Sequence, residues 1–401
     1  MDPVISAFFI ASGVLITGYL AALALDKFGV PDPIILIAVG MCIGPIFRIV
    51  DPVQFQSLAS YLGALAFVAI MFESGLRINI RELIGSAKAA LTLALASFSL
   101  SVLSISLIMH FLFGFSIVES MLFGCIVGGS SGAVIASIVN KLNLDPPLPL
   151  ILSLESLLTD VLCIISVVVV KWVVTSPKAV EMTAGFVAAK FSTSVVIGFL
   201  FGLLLANVMY KLRKQKYNYT AIISFLIFLY ALSEFLGGNG AIAVLIAGII
   251  LSNVEYLPSY LSSEERVETI KFQRIFLESF HSELSLLIRV FFFMEIGLIF
   301  QMTNIYLLLV AVFFSAVLFA VRYPAAYLAS KLVGDRTKAS LITSFYARGL
   351  AAAVLAVDVY SDKALAGILT SPEFILQTAS GIVVVTNLLL TVAYLTLRRV
   401  S

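Results

Sequence analysis

The sequence predicts an all-α integral membrane protein with about 13 transmembrane helices. Three observations carry that prediction. Of 401 residues, 61% are hydrophobic and only 12% charged; mean hydropathy is +1.10; and the apolar residues fall in runs near the roughly 20 residues that a bilayer-crossing helix needs. A water-soluble domain carries about 25% charged residues, so an ordinary soluble enzyme is excluded. The 25 Gly and 12 Pro fit helices packed in lipid, where both are commoner than in soluble helices. The net charge of +2 carries no signal for a nucleic-acid partner, and none is expected. Two histidines, His110 and His281, and three cysteines, Cys42, Cys125 and Cys163, are too few and too scattered for a zinc, haem or disulfide framework, so no resident cofactor is expected.

In chain order the predicted spans are 4–25, 33–48, 57–76, 85–113, 116–140, 149–172, 182–210, 217–236, 239–253, 282–301, 303–330, 338–358 and 372–397, separated by short polar or turn-bearing breaks. The first is read as a retained span, because Met1-Asp2-Pro3-Val4 lacks the basic region of a cleaved leader and the apolar run continues to Leu25. Residues 256–281, with Glu264, Glu265, Arg266, Glu268, Lys271, Arg274 and Glu278, are read as an interfacial lead-in to the tenth span. No stretch is long and polar enough for a soluble regulatory domain, so residues 1–401 are read as one membrane domain in the bilayer.

Basic loops stay cytoplasmic. With the N-terminus outside, seventeen Lys and Arg fall in inside loops (Lys27; Arg77, Arg81, Lys88; Lys141; Lys211, Arg213, Lys214, Lys216; Arg266, Lys271, Arg274; Lys331, Arg336, Lys338; Arg398, Arg399). Four fall outside: Arg48, Lys171, Lys178 and Lys363. This bias predicts a multi-pass protein of the cell membrane with its C-terminus in the cytoplasm.

A charge at the bilayer centre costs at least about 2.5–3.5 kcal/mol and needs a partner, water or a function. The mid-span charges are Glu73, Glu155, Asp160, Arg289, Glu295, Arg322 and Arg348. In the sixth span, Glu155 with Thr159 and Ser156 with Asp160 are each four residues apart, which makes one polar stripe. Such a stripe faces a cavity or a partner helix, and helix–helix hydrogen bonding is the plainer reading of its hydroxyls. In the fifth span, Gly128-Gly129-Ser130-Ser131-Gly132 permits an unwound stretch, at about 1 kcal/mol per glycine relative to alanine. Free carbonyls there can coordinate a cation, or the small residues can simply pack closely. In the twelfth span, Ala347-Arg348-Gly349 places an arginine and a glycine mid-run, and a carboxylate is the expected partner of the guanidinium. Glu295 in the tenth span either replaces charge at the Ser131 position or pairs with Arg289, six residues away; a pathway-lining or structural role is expected over ligation.

Spans 5 and 12 are both small-residue-rich, glycine-interrupted and next to last in a block of six. Blocks 1–6 (about 1–175) and 8–13 (about 217–401), linked by the span at about 182–210, therefore read as inverted repeats with paired interrupted helices crossing in the core.

These residues resemble the NhaP-type sodium/proton antiporters of the monovalent cation:proton antiporter superfamily, in its cation:proton antiporter-1 branch. Phe72-Glu73-Ser74-Gly75-Leu76 looks like the family's FEGGL, Glu155-Ser156-Leu157-Leu158-Thr159-Asp160 like its ES-x-x-ND, and Ala347-Arg348-Gly349 like its PRG. Gly238-Asn239-Gly240-Ala241 and Arg322-Tyr323-Pro324 add to the match. The resemblance implies that Asp160 binds cation and proton, with Ser156 as an oxygen ligand to the monovalent metal ion and Thr159, Ser130 and Ser131 around them. It implies a structural ion pair of Glu155 with Arg348, Glu73 near the ion pathway, and a homodimer. Two departures stand out: Thr159 replaces the family Asn, and Ser131 replaces the Asp of the family's TDP, which leaves a less anionic shell.

The expected activity is electroneutral exchange of Na⁺, or Li⁺, for H⁺, since position 159 is neutral. K⁺/H⁺ antiport is the alternative within the superfamily. A passive cation channel would share the glycines and hydroxyls but has no use for a buried titratable Asp with an Arg–Glu clamp. An intramembrane hydrolase lacks its metal motif and any histidine near a candidate nucleophile.

Overall fold

In lipid the backbone has no water to bond, so each membrane-crossing run must close its own hydrogen bonds as a helix. The computed structural model describes residues 3–400 except 29, 50–51, 79, 140, 143, 176–178, 213–214, 216–217, 257–263 and 301–303. Its helices are α1 (Pro3–Phe28), α2 (Asp32–Met41, prolonged by a π-helical turn Cys42–Ile46), α3 (Pro52–Arg77), α4 (Ile80–Phe111), α5 (Ile117–Val127), α6 (Gly132–Val139), α7 (Leu148–Thr175) and α8 (Ala179–Lys211). They continue as α9 (Asn218–Phe235), α10 (Gly240–Ser252), α11 (Glu264–Ile299), α12 (Ile305–Val333), α13 (Ala339–Ser344), α14 (Leu350–Ser361) and α15 (Pro372–Val400). No strand occurs among the described residues.

Each predicted span coincides with one helix or, for spans 5 and 12, with a pair of half-helices. Among the described residues, seven helices meet the length and composition of a membrane crossing by themselves, while α2 with its π turn, α5, α10 and α14 are shorter apolar helices. The protein is an all-α integral membrane protein. Of the loop cations, Lys178, Arg213, Lys214 and Lys216 lie outside the described residues.

The lead-in at 256–281 is not a separate segment over its described part: α11 runs unbroken for 36 residues. Neither Gly nor Pro interrupts it before Gly297, so its charged half continues the same helix, about 54 Å in all at 1.5 Å per residue.

The chain divides into two compact units, one of Met1–Gly63, Ser86–Thr175 and Leu287–Ser401, the other of Ala64–Gly85 and Ser176–Leu286. In the first unit, α5, α6 and α14 pack on α7, and α2, α12 and α14 pack on α15. Glu119 closes a capping box with Ser116 at the start of α5 and also accepts from Thr370 and from the Ser371 N–H (3.2 Å), which ties α15's lead-in to it. Lys171 Nζ sits 2.8 Å from Asp358 Oδ2 and 2.6 Å from Asp362 Oδ2, joining the ends of α7 and α14. Here α2 and α11 cross backbone to backbone at Gly40 and Gly297, where a Cβ on Gly297 would lie 2.8 Å from the Gly40 Cα.

In the second unit, α8 packs on α9 and α10. The α3 end crosses α10 at Gly75 and Gly248, where a Cβ on Gly248 would lie 3.0 Å from the Gly75 Cα. Close approach of this kind is how helices associate in lipid, where burial of apolar surface gives no drive.

Candidate functional site

Two breaks in helix meet in the first unit. Residues 128–131 separate α5 from α6, and 345–349 separate α13 from α14. Glycine and serine cannot hold the first as helix, and the second carries Gly349 after a fully buried Phe-Tyr-Ala-Arg run. Unwinding frees backbone groups that need partners, and each break supplies them to the other. The Ser131 N–H donates to Ala347 O (2.7 Å), and Arg348 Nη1 donates to Gly129 O (2.7 Å). From α15, Thr386 Oγ1 accepts from the Arg348 N–H (3.0 Å) and Asn387 Nδ2 donates to Arg348 O (2.7 Å).

Gly349 lies against Ser131, so a Cβ there would overlap the serine hydroxyl. Gly349→Ala is therefore expected to cost about 1–3 kcal/mol by overpacking. Adding Ser131→Gly should recover most of it in thermal unfolding of the purified protein; no recovery would place the strain elsewhere.

The polar stripe of α7 faces the first break. Thr159 Oγ1 accepts from the Ser130 N–H (3.1 Å) and donates to Ser156 O (3.1 Å), and Ser130 Oγ donates to Glu155 Oε1 (2.8 Å). A Cβ at Gly132 would stand 3.4 Å from Asp160 Oδ2 and 3.6 Å from Ser156 Oγ. Asp160 and Ser156 thus lie at the first residue of α6, whose unsatisfied N–H groups form the positive end of a helix dipole. Ser156 is buried and Asp160 half-buried. Ser156 Oγ donates to Ser153 O (2.9 Å), which leaves its lone pairs as acceptors or ligands. A half-buried carboxylate, hydroxyl oxygens and broken helix ends can hold a desolvated monovalent cation or a proton.

The structure corrects the predicted ion pair. Glu155 is held by Arg322, not Arg348: Nη1 and Nη2 of Arg322 each lie 3.0 Å from one Glu155 oxygen, a bidentate fork with both residues at most 2% exposed. Ser97 Oγ adds a longer contact to Oε1 (3.4 Å). Arg348 sits in the second break, and its guanidinium reaches across to the Gly129 carbonyl instead. The sequence marked both arginines as mid-span charges, and spacing alone does not choose between them. Thr386 and Asn387, which hold the Arg348 backbone, were missed; a Thr-Asn pair in the middle of an apolar run was the available signal.

Glu73 lies in the second unit. Arg77 Nη2 approaches its Oε1 at 2.5 Å and Ser285 Oγ donates to its Oε2 (3.0 Å). Arg289 does not pair with Glu295: its Nη1 is 3.1 Å from Asp32 Oδ2 at the start of α2. Glu295 is 0% exposed, and neither oxygen has a hydrogen-bond partner among the described residues.

A family model described as sodium/hydrogen exchanger, transmembrane, matches residues 11–398. The chain is 25% identical over 262 residues to a K(+)/H(+) antiporter NhaP2 of Shewanella oneidensis, covering 63% of this chain and 45% of that protein. It is 24% identical over 296 residues to Na(+)/H(+) antiporter 1 of Methanocaldococcus jannaschii, covering 71% of this chain and 66% of that one. The chain thus spans about half the length of the NhaP2 relatives. Among solved structures, the sodium proton antiporter MjNhaP1 from M. jannaschii at pH 8 matches with a TM-score of 0.77 at 20% identity, over 99% of this chain and 97% of that one, which shows a shared fold.

Proposed function

We propose, from the premise that this chain belongs to the transmembrane sodium/hydrogen exchanger family, that it is a secondary active antiporter exchanging a monovalent cation for protons by alternating access. The observation that carries the reading is Asp160 with Ser156 set against Gly132, at a broken helix whose backbone is bonded to a second broken helix. Removal from water favours the neutral acid and a bound cation favours the carboxylate, so proton and cation exclude one another at Asp160. Either one neutralises the charge that would otherwise cross the apolar barrier. Ser156 and Ser131 supply hydroxyl oxygens. Thr159 and Ser130 spend their hydrogen bonds on the break and act as its fasteners. Glu73 is assigned to the approach.

We infer Na⁺, with Li⁺ as a second substrate, as the cation. Relatives named for Na⁺ and for K⁺ both match, and Ser131 in place of a carboxylate weakens the shell's anionic character, so K⁺ is the second reading. With Thr159 neutral, exchange is one for one. The loop charges support an N-terminus outside and a cytoplasmic C-terminus in the cell membrane. Repeats over about 1–175 and 217–401, and a homodimer, complete the proposal. In proteoliposomes carrying a pH gradient, Na⁺ or Li⁺ is expected to dissipate it, with no effect of valinomycin. Dissipation by K⁺ alone would reassign the cation, and a valinomycin-sensitive current would overturn the stoichiometry.

A further inference from the structure

The two glycine crossings are copies of one arrangement. In the second unit a Cβ on Gly75 would meet Leu245 O and the Gly248 Cα, and one on Gly248 would meet Phe72 O. In the first unit a Cβ on Gly297 would meet Ile37 O and the Gly40 Cα, and one on Gly40 would meet Met294 O. In each case the carbonyl belongs to the residue three positions before the partner glycine. The crossing is reciprocal, so its geometry matches Gly75 to either Gly297 or Gly40, and the surrounding sequence selects Gly75 with Gly297 and hence Gly248 with Gly40. The sequence around the first pair repeats too: Glu73-Ser74-Gly75-Leu76 and Glu295-Ile296-Gly297-Leu298 share Glu-x-Gly-Leu. The duplicated glutamates have diverged. Glu73 is partly exposed and carries Arg77 and Ser285, whereas Glu295 is fully buried with both oxygens unpartnered among the described residues.

We propose that Glu295 is a second proton-binding site, distinct from Asp160, which takes a proton and no metal cation. An ionised carboxylate buried without partners is so costly that the group neutralises instead, and the ligand that neutralises it here is a proton. Along α11 its neighbours Phe292, Phe293, Met294, Ile296 and Leu298 are buried and apolar, so they offer no oxygen shell for a metal ion.

Contacts among the described residues bring α1 (Gly18 against Val290), α2 (Gly40 against Met294 and Gly44 against Leu298) and α15 (Gln377 Nε2 to Ile299 O) onto this part of α11. Beside Asp26 of α1 and Arg399 of α15, whose side chains lie outside the described ones, the titratable groups of these helices are Tyr19 and Lys27 on α1, Asp32 and Cys42 on α2, and Glu373, Tyr394 and Arg398 on α15. None makes a hydrogen bond to Glu295, and the nearest guanidinium on its own helix, Arg289, is taken by Asp32.

The site does not depend on the antiport assignment, and its test reads protonation rather than transport. Infrared spectra of the full chain in lipid at neutral pH, with ¹³C-labelled glutamate, are expected to show a label-shifted protonated-carboxyl band that Na⁺, Li⁺ and K⁺ leave unchanged. Glu295→Gln is expected to remove that band. Absence of the band in the labelled wild type, its persistence in Glu295→Gln, or its loss on adding any of the three cations would each overturn the proposal. Absence of the band in the wild type, or its loss on adding a cation, overturns the proposal even if the variant does not fold.

Discussion

Asp160→Asn is expected to reduce cation/proton exchange in proteoliposomes to background. The amide keeps the shape of the side chain but neither takes up a proton nor presents a charge, so both ligands lose the group for which they compete. Position 131, where the family motif has an Asp, is Ser131, and Glu155 is committed to Arg322. On the competition proposed for Asp160, the cation concentration for half-maximal exchange is expected to rise as pH falls. Wild-type exchange in the variant, or half-saturation that does not move with pH, would remove Asp160 from the centre of the mechanism.

How much of this was legible in the sequence depended on whether a feature was local. Helix existence follows from apolar runs, and the two breaks follow from Gly-Gly-Ser-Ser-Gly at 128–132 and Arg-Gly at 348–349, because glycine and polar residues weaken a helix wherever they stand. The i,i+4 spacing of Ser156 and Asp160 likewise put them on one face without tertiary information. The choice of partner for Glu155 was not local. Two buried guanidinia, on α12 and in the second break, were equally eligible by sequence, and only the fold brings Arg322 into a fork while turning Arg348 to a carbonyl. The extent of α11 was misread for a different reason: hydropathy falls over its charged half, but hydropathy reports burial, whereas continuity depends on the absence of Gly and Pro. The duplicated Glu-x-Gly-Leu was visible as letters all along. It acquired meaning only once Gly75 and Gly297 were each seen to touch another glycine's backbone.

Arg322→Gln is expected to be the most destabilising single substitution around the site, at about 3–5 kcal/mol, because it leaves Glu155 in the interior without its counter-charge. Arg348→Gln is expected to cost less. Its guanidinium makes a charge-assisted bond to one carbonyl, worth about 1.5–3 kcal/mol, and strands no carboxylate. A buried ion pair gains much of its apparent worth from the penalty of breaking it, so removing both charges differs from removing one. The double variant Arg322→Gln with Glu155→Gln should therefore melt closer to wild type than Arg322→Gln alone. A lower melting temperature for Arg348→Gln than for Arg322→Gln, or no recovery in the double variant, would return the clamp to Arg348. Restored folding need not restore exchange. Ser130 Oγ bonds to Glu155 and the Ser130 N–H bonds to Thr159, so the Arg322–Glu155 fork also holds the unwound stretch beside Asp160 in place. A double variant that folds yet exchanges slowly would identify the fork as a positioning device for the broken helix, with its electrostatics acting through Ser130 rather than on the cation.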